Sequence, residues 1–282
     1  MITAFLIFFA LILEYIYDPV SNMKDTAVVD KFFMKFLDLT KDYKFEKIII
    51  YLSFPIFIFV IVNILDYALY NFLHPFFSFL LSLIVLLYCL KPNEFSQKLD
   101  NLKFAIQSDT DQEQSDSFTY ILHANKNDEI DSTVNNIFYN SMRSIFSILF
   151  IFLLLGPAGC LGYIIIDNYI YSKQIKVDQK SKKFIKLVVS ILEFLPIRIC
   201  AFTFAVVANF ELCLDKWRSL KHHKEIYNSN SNLINIIGFA SFKDDDDNLA
   251  LAKVIYAQSI ISRSLLAWLS VIGLLVISGV II

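Results

Sequence analysis

A series of apolar runs, each approaching the length of a membrane-spanning helix, constrains this chain more than any other feature. A helix needs about 20 apolar residues to cross about 30 Å of hydrocarbon. Of the 282 residues, 56% are hydrophobic and 18% are charged, which is more apolar surface than a soluble domain of this size can bury. The sequence therefore predicts an all-α, polytopic helical membrane protein with about five to six hydrophobic segments. These are Ile2–Tyr17, Ile48–Leu73, Phe76–Leu90, Ile145–Tyr171, Phe184–Leu214 and Ser264–Ile282.

Two polar stretches divide the apolar segments and predict the domain organisation. Residues 92–142 are rich in acids, amides and hydroxyls, and residues 215–263 form a second polar loop or helix. They separate an N-terminal three-segment region (1–91), a central membrane region (143–214) and a C-terminal transmembrane helix (264–282). The acidic run Asp244–Asp247 favours a solvated cap on a helix that begins near Leu249, rather than a metal site.

The fourth apolar segment contains residues that interrupt a helix. Gly156, Pro157, Gly159 and Gly162 fall within it, and glycine and proline weaken or kink a helical hydrogen-bond ladder. The sequence predicts either one kinked span or a broken, re-entrant pair at this broken-helix turn.

The distribution of basic residues predicts the topology, because cytoplasmic loops are enriched in lysine and arginine. Asp18–Lys47 holds six lysines and Asp66–Pro75 holds no lysine or arginine, so the first is predicted inside and the second outside. Simple alternation then makes residues 92–142 and 215–263 cytoplasmic. The lysine-rich linker Lys173–Lys186 conflicts with that scheme. Either segment four returns to the same face and segment five lies partly in the interface, or the charge rule fails at this linker.

Polar residues inside apolar segments are the candidate functional residues, because an ionisable group at bilayer depth needs a partner, water or an interface. The candidates for a ligand-binding or intramembrane polar cluster are Glu14, Asp167, Glu193, Arg198 and Asn209. Interfacial anchoring competes with this interpretation for Glu14, and a structural ion pair between helices is an equal alternative for Glu193 and Arg198.

The spacing within segment five predicts how these groups are arranged. In a continuous helix Glu193 and Arg198 are about 140° apart and cannot pair directly, whereas Arg198 and Asn209 return to within about 20° of one face. That face is predicted to be a polar seam. Pro196 removes a backbone donor, which predicts a kink near Ser190–Leu192 where Glu193 and Arg198 gather.

Several functional classes are disfavoured. The chain has no phosphate-binding loop, no dinucleotide fingerprint, no nucleophile elbow and no HExxH metal motif. A net charge of −2 gives no signal for nucleic acid. The histidine pair His222 and His223 lies between lysines, which favours a surface loop. We therefore predict no metal and no cofactor, and free buried thiols for Cys89, Cys160, Cys200 and Cys213.

Two stretches carry a resemblance to a known family. LLLGPAGCLGYIIIDNYIYSKQ, followed by ILEFLPIRICAFTFAVVANFELCLDKWRSL, is similar to AmpE proteins and their wider CobD/CbiB-like relatives. Leu195–Arg198 matches their Pro-x-Arg element, Gly156–Tyr163 matches the small-residue turn before it, and Trp217 matches the tryptophan after it. Glu14 stands where AmpE proteins carry a glutamate.

The resemblance implies a multi-pass protein of the bacterial inner membrane, associated with β-lactamase induction and cell-wall recycling. It implies a non-enzymatic modulator that senses a muropeptide-type ligand or partners a cytosolic cell-wall-recycling amidase, in addition to contacting the lipid bilayer. The alternative is a CobD/CbiB-like adenosylcobinamide-phosphate synthase. That branch typically follows its glycine turn with an Asn-Thr-Leu-Asp-Ser type sequence, where this chain has Asp167–Ile170, and the departure favours AmpE.

Overall fold

The structure, a computed structural model, describes residues 2–17, 27–40, 47–108, 129–171, 175, 177–220, 226–243 and 249–279. Every regular element in these ranges is a helix. In chain order they are α1 Ile2–Tyr17, α2 Ala27–Thr40, α3 Lys47–Ala68, α4 Pro75–Cys89, α5 Pro92–Ser108, α6 Glu129–Asn135, α7 Ile137–Ser141, α8 Ser147–Tyr171, α9 Gln179–Leu192, α10 Phe194–Val207, α11 Phe210–Ser219, α12 Ile226–Gly238 and α13 Leu249–Ile277. Leu69–Leu73 and Met142–Phe146 are π-helical.

The helix lengths confirm the predicted fold class. Among the described residues, four helical stretches are long and apolar enough to cross a membrane, and a fifth is possible if the helix pair Gln179–Leu192 and Phe194–Val207 is one broken span. The four are Ile48–Leu73, Pro75–Phe104, Ile137–Tyr171 and Ala250–Ile277. The predicted first span is helical over 16 residues, which is shorter than a full crossing requires.

The chain divides into two compact units. The first comprises Met1–Leu90 with Ile148–Leu192, and the second comprises Lys91–Ser147 with Glu193–Val280. The five ranges predicted from composition describe position relative to the membrane, and they stay a prediction.

An aromatic cluster forms the core of the first unit. Phe33 of α2 lies with its ring centroid 5.6 Å from that of Tyr51, 5.3 Å from Phe54 and 4.7 Å from Tyr169. These residues are buried together with Ile185 and Val189 of α9. Aromatic pairs at such distances contribute about 0.5–1.5 kcal/mol beyond their buried area, so α2, α3, α8 and α9 are joined mainly by this cluster.

The second unit packs around α10. Phe204 lies 5.0 Å from Phe138 of α7 and 5.9 Å from Phe146 between ring centroids, and Phe146 lies 5.3 Å from Trp268 of α13. The Trp268 indole also donates to Thr203 Oγ1 at 3.1 Å. Aromatic side chains of α7, of the segment Met142–Phe146 and of α13 therefore pack against the C-terminal half of α10.

Segment five is not one helix, and this corrects the sequence interpretation. The predicted block Phe184–Leu214 breaks at Glu193 and again at Ala208, giving α9, α10 and α11. The first break lies beside the predicted kink near Ser190–Leu192. Glu193 and Arg198 do not gather there, because their side chains contact different residues. Pro196 is tolerated because it lies in the first turn of α10, where backbone N–H groups have no helical partner.

Candidate functional site

Glu193 stands at the start of α10 and is fully buried. Its backbone is the cap residue of the helix, although its side chain makes no capping hydrogen bond. A carboxylate here is favoured by the positive end of the helix dipole. Burial of a charge nevertheless requires direct partners, and these come from another part of the second unit.

Tyr139 and Arg143 supply partners for the Glu193 carboxylate. The Tyr139 hydroxyl donates to Glu193 Oε2 at 3.0 Å, and Arg143 Nε lies 4.0 Å from Glu193 Oε1. The Arg143 guanidinium also lies 5.7 Å from the centre of the Tyr139 ring. Because Arg143 belongs to the π-helical segment Met142–Phe146, this irregular turn helps set the position of its side chain. Glu193, Tyr139 and Arg143 are called the carboxylate cluster below.

Arg198 lies one turn further along α10 and has different partners. Its Nη1 donates to the Phe194 carbonyl oxygen at 2.8 Å and to Asn230 Oδ1 at 3.5 Å. Its guanidinium carbon lies 3.3 Å from the centre of the Phe194 ring, a cation–π contact. The side chain is partly exposed, and both of its hydrogen-bond partners are uncharged.

An asparagine network adjoins the carboxylate cluster. Asn235 Oδ1 accepts from the Tyr139 backbone N–H at 3.0 Å, and Asn235 Nδ2 donates to Asn136 Oδ1 at 3.1 Å. Asn136 is the break between α6 and α7. The network therefore ties α12 to the chain segment that carries Tyr139.

Sequence reasoning missed Tyr139 and Arg143, which lie at the end of the predicted polar insert 92–142 and directly after it. It also missed the asparagines of α12, because residues 215–263 were interpreted as a polar loop or helix. The signal that was available is the apolar spacing in NSNSNLINIIG: Leu233, Ile234 and Ile237 are buried on the same helix as Asn230. Apolar residues three and four apart indicate a packed helix face, so an asparagine on that face points inward.

Two other candidates belong to the first unit. Glu14 is fully buried on α1, and Asp167 is partly buried on α8. Glu14 therefore lies in a packed position in this structure. Their role as ligand-binding groups stays a prediction.

Asn209 does not share a helical face with Arg198, which corrects the predicted polar seam. Helix α10 ends at Val207, and Ala208 leaves helical geometry. Asn209 is exposed and caps α11, where its Oδ1 accepts from the Leu212 N–H at 3.2 Å. The prediction assumed a continuous helix, and an asparagine N-cap is a common way to begin a new one.

The broken-helix turn is where the glycines predict it. Gly156 has φ +67° and ψ −162° inside α8, a backbone region that is essentially restricted to glycine. A Cβ at Gly159 would lie 2.4 Å from Leu155 Cβ, whereas a Cβ at Gly162 would meet nothing within 4 Å. Because α8 continues on both sides of the break, the structure favours one kinked span.

The acidic run 244–247 and the histidine pair 222–223 lie outside the described residues.

The fold and the buried carboxylate cluster together define the class: a membrane protein with several apolar helices and a charged group held inside one unit. The family model of the regulatory signalling modulator protein AmpE matches residues 3–282. The chain therefore belongs to the AmpE family. No curated protein and no solved structure matches it significantly.

Proposed function

We propose that this chain is a non-enzymatic modulator of the bacterial inner membrane that acts in β-lactamase induction and cell-wall recycling signalling. The observation that carries the proposal is the family match across nearly the whole chain. The arrangement of its charged groups supports a binding role, as follows.

Two arginines of the second unit, Arg143 and Arg198, differ in the groups that contact their guanidinium. Arg143 faces the buried Glu193 carboxylate, whereas Arg198 contacts a backbone carbonyl and an amide. No carboxylate contacts Arg198 within the described residues. A guanidinium has five N–H donors in a fork that suits a carboxylate or phosphate. We therefore assign Arg198 as the group that binds an anionic ligand, and a muropeptide-type ligand carries such carboxylates.

The test uses a bacterial strain that has an inducible β-lactamase and lacks its own AmpE. The strain receives the wild-type chain, Arg198→Gln, or the matched control Arg218→Gln, which changes an exposed arginine on α11. We expect the wild type and Arg218→Gln to alter β-lactamase induction by a β-lactam, and Arg198→Gln to lose that effect at equal membrane abundance. Full activity of Arg198→Gln would contradict its assignment, and an inactive wild type would contradict the link to induction.

The proposal also includes a protein partner, a cytosolic cell-wall-recycling amidase that binds this chain. A cytosolic cell-wall-recycling amidase would meet residues 92–142 and 215–263, the two polar stretches predicted to face the cytoplasm. Co-purification of the amidase with the wild-type chain, and its loss when residues 109–128 are replaced by a Gly/Ser linker of equal length, is the expected result. Retention of the amidase by that variant would contradict a contact through residues 109–128.

Complementation tests the alternative CobD/CbiB-like synthase. Expression in a cobalamin auxotroph that lacks its synthase is expected to give no growth without added cobinamide products. Growth restored by the wild type and lost with Arg198→Gln would replace the modulator proposal with an enzymatic one.

A further inference from the structure

Asn63 is an exposed amide on the most exposed of the long apolar helices. In Ile48–Leu73, only 22% of the most apolar window is buried inside the molecule, compared with 56% in Ile137–Tyr171. Ile56, Val60, Ile64 and Tyr67 around Asn63 are all exposed. Exposed apolar residues on such a helix face lipid, so Asn63 is a polar group on a lipid-facing surface.

The depth of Asn63 makes its position costly. Ile48–Leu73 contains 26 residues, or about 39 Å of helix at 1.5 Å per residue. Asn63 lies about 4 Å from the midpoint of that length, well inside a hydrocarbon core about 30 Å thick. Lipid tails provide no hydrogen-bond partner at this depth.

The hydrogen bonds made by Asn63 leave part of its amide available. Its Nδ2 donates to the Phe59 carbonyl oxygen at 2.9 Å, and this is its one hydrogen bond to the described residues. A primary amide has two N–H donors and a carbonyl oxygen with two lone pairs. One N–H and the Oδ1 acceptor therefore have no hydrogen-bond partner among the described residues.

The residues around Asn63 form a seam suited to another helix. Ile56, Val60, Asn63 and Tyr67 are spaced by four, three and four residues and are all exposed. This is the spacing with which two helices pack together, and a single polar residue in such a seam selects the register and the number of helices. Amide side chains also associate helices within membranes.

We propose that two copies of this chain associate along α3, with the two Asn63 amides hydrogen-bonded to each other. The occupant is a second copy because an amide is self-complementary: the N–H of one asparagine donates to the Oδ1 of the other, and a twofold axis repeats the bond. The pairing removes the exposed amide from lipid without requiring a different partner.

The test compares two asparagines of the same stretch. Asn71 is also exposed, and its Nδ2 also donates to a backbone carbonyl four residues earlier, that of Tyr67, at 2.9 Å. Asn71 lies about 16 Å from the midpoint, where interfacial water reaches it. Wild type, Asn63→Leu and Asn71→Leu are each labelled with donor and acceptor dyes, reconstituted in phospholipid vesicles, and diluted with lipid while energy transfer between copies is measured.

We expect wild type and Asn71→Leu to dimerise alike, and Asn63→Leu to dimerise about 3- to 30-fold more weakly, as for interhelical hydrogen bonds of other membrane proteins. Circular dichroism checks that all three remain equally helical, since leucine on a lipid-facing position should not impair folding. A wild type that stays monomeric at every protein density, or equal dimerisation of Asn63→Leu and wild type, would overturn the proposal.

Discussion

Replacement of Gly156 by alanine tests whether the kink in α8 is enforced by backbone geometry. A Cβ at this position would meet nothing within 4 Å, so steric contact with other residues contributes nothing. The expected loss of stability therefore comes entirely from the backbone conformation, with φ +67° and ψ −162°. Residues held in this region cost about 1–3 kcal/mol, and Gly156→Ala should lose that much stability.

Gly162→Ala is the matched control on the same helix. Its Cβ would also meet nothing within 4 Å, and its backbone lies in the regular part of α8. Alanine is favoured over glycine in a helix interior by about 0.5–1 kcal/mol. The same substitution six residues apart should therefore have opposite signs, with a difference of about 1.5–4 kcal/mol.

The measurement is the midpoint of thermal unfolding in detergent, followed by circular dichroism. A chain of this size shifts by about 2–4 °C per kcal/mol, so the two variants should differ by about 3–16 °C. Gly159→Ala adds a steric test, because its Cβ would lie 2.4 Å from Leu155 Cβ, and it should unfold below Gly162→Ala. Equal midpoints for Gly156→Ala and Gly162→Ala would refute the reasoning, since the kink would then need no glycine.

Two further substitutions test the second unit by the same unfolding assay. Tyr139→Phe removes the 3.0 Å hydrogen bond to the buried Glu193 carboxylate and should cost about 1–3 kcal/mol. The control Tyr70→Phe changes an exposed tyrosine and should alter stability by less than about 0.5 kcal/mol; equal effects would place the Tyr139 hydroxyl outside the cluster. Gly238→Ala would put a Cβ 2.3 Å from the Phe138 ring and should cost about 1–3 kcal/mol, so an unchanged midpoint would contradict the close packing of α12 on α7.

The long apolar helices were predictable because lipid imposes a minimum length on them. Ile48–Leu73 coincides with its predicted run. At the C-terminal end, the helix predicted to begin near Leu249 and the apolar run from Ser264 form one helix, α13. Its first half is less apolar, and a hydrogen bond from Lys103 of α5 to Gln258 gives that half a polar packing partner. Hydropathy alone does not detect such a partner.

The breaks within segment five were only half predictable. Pro196 marks the first break, because its missing N–H must lie in the first turn of a helix. Nothing as strong marks the second: Ala208 and Asn209 are ordinary residues in a helix until an N-cap is recognised. Asn209 followed by Glu211 in the first turn of α11 is that weaker signal, and it was interpreted as a polar seam.

The candidate site shows why a search for charges finds only part of a membrane protein's polar structure. Glu193 and Arg198 stand out in sequence because a charge at bilayer depth is expensive. A neutral amide costs less, so Asn63, Asn230 and Asn235 give a weak signal, although Asn230 and Asn235 contact residues 32 and 96 positions away. Those contacts depend on tertiary packing, which a hydropathy pattern does not encode. Exposure then has a different meaning from that in a soluble protein: an exposed asparagine needs no explanation in water, whereas the exposed Asn63 amide on a long apolar helix is the basis for the proposed pairing of two copies.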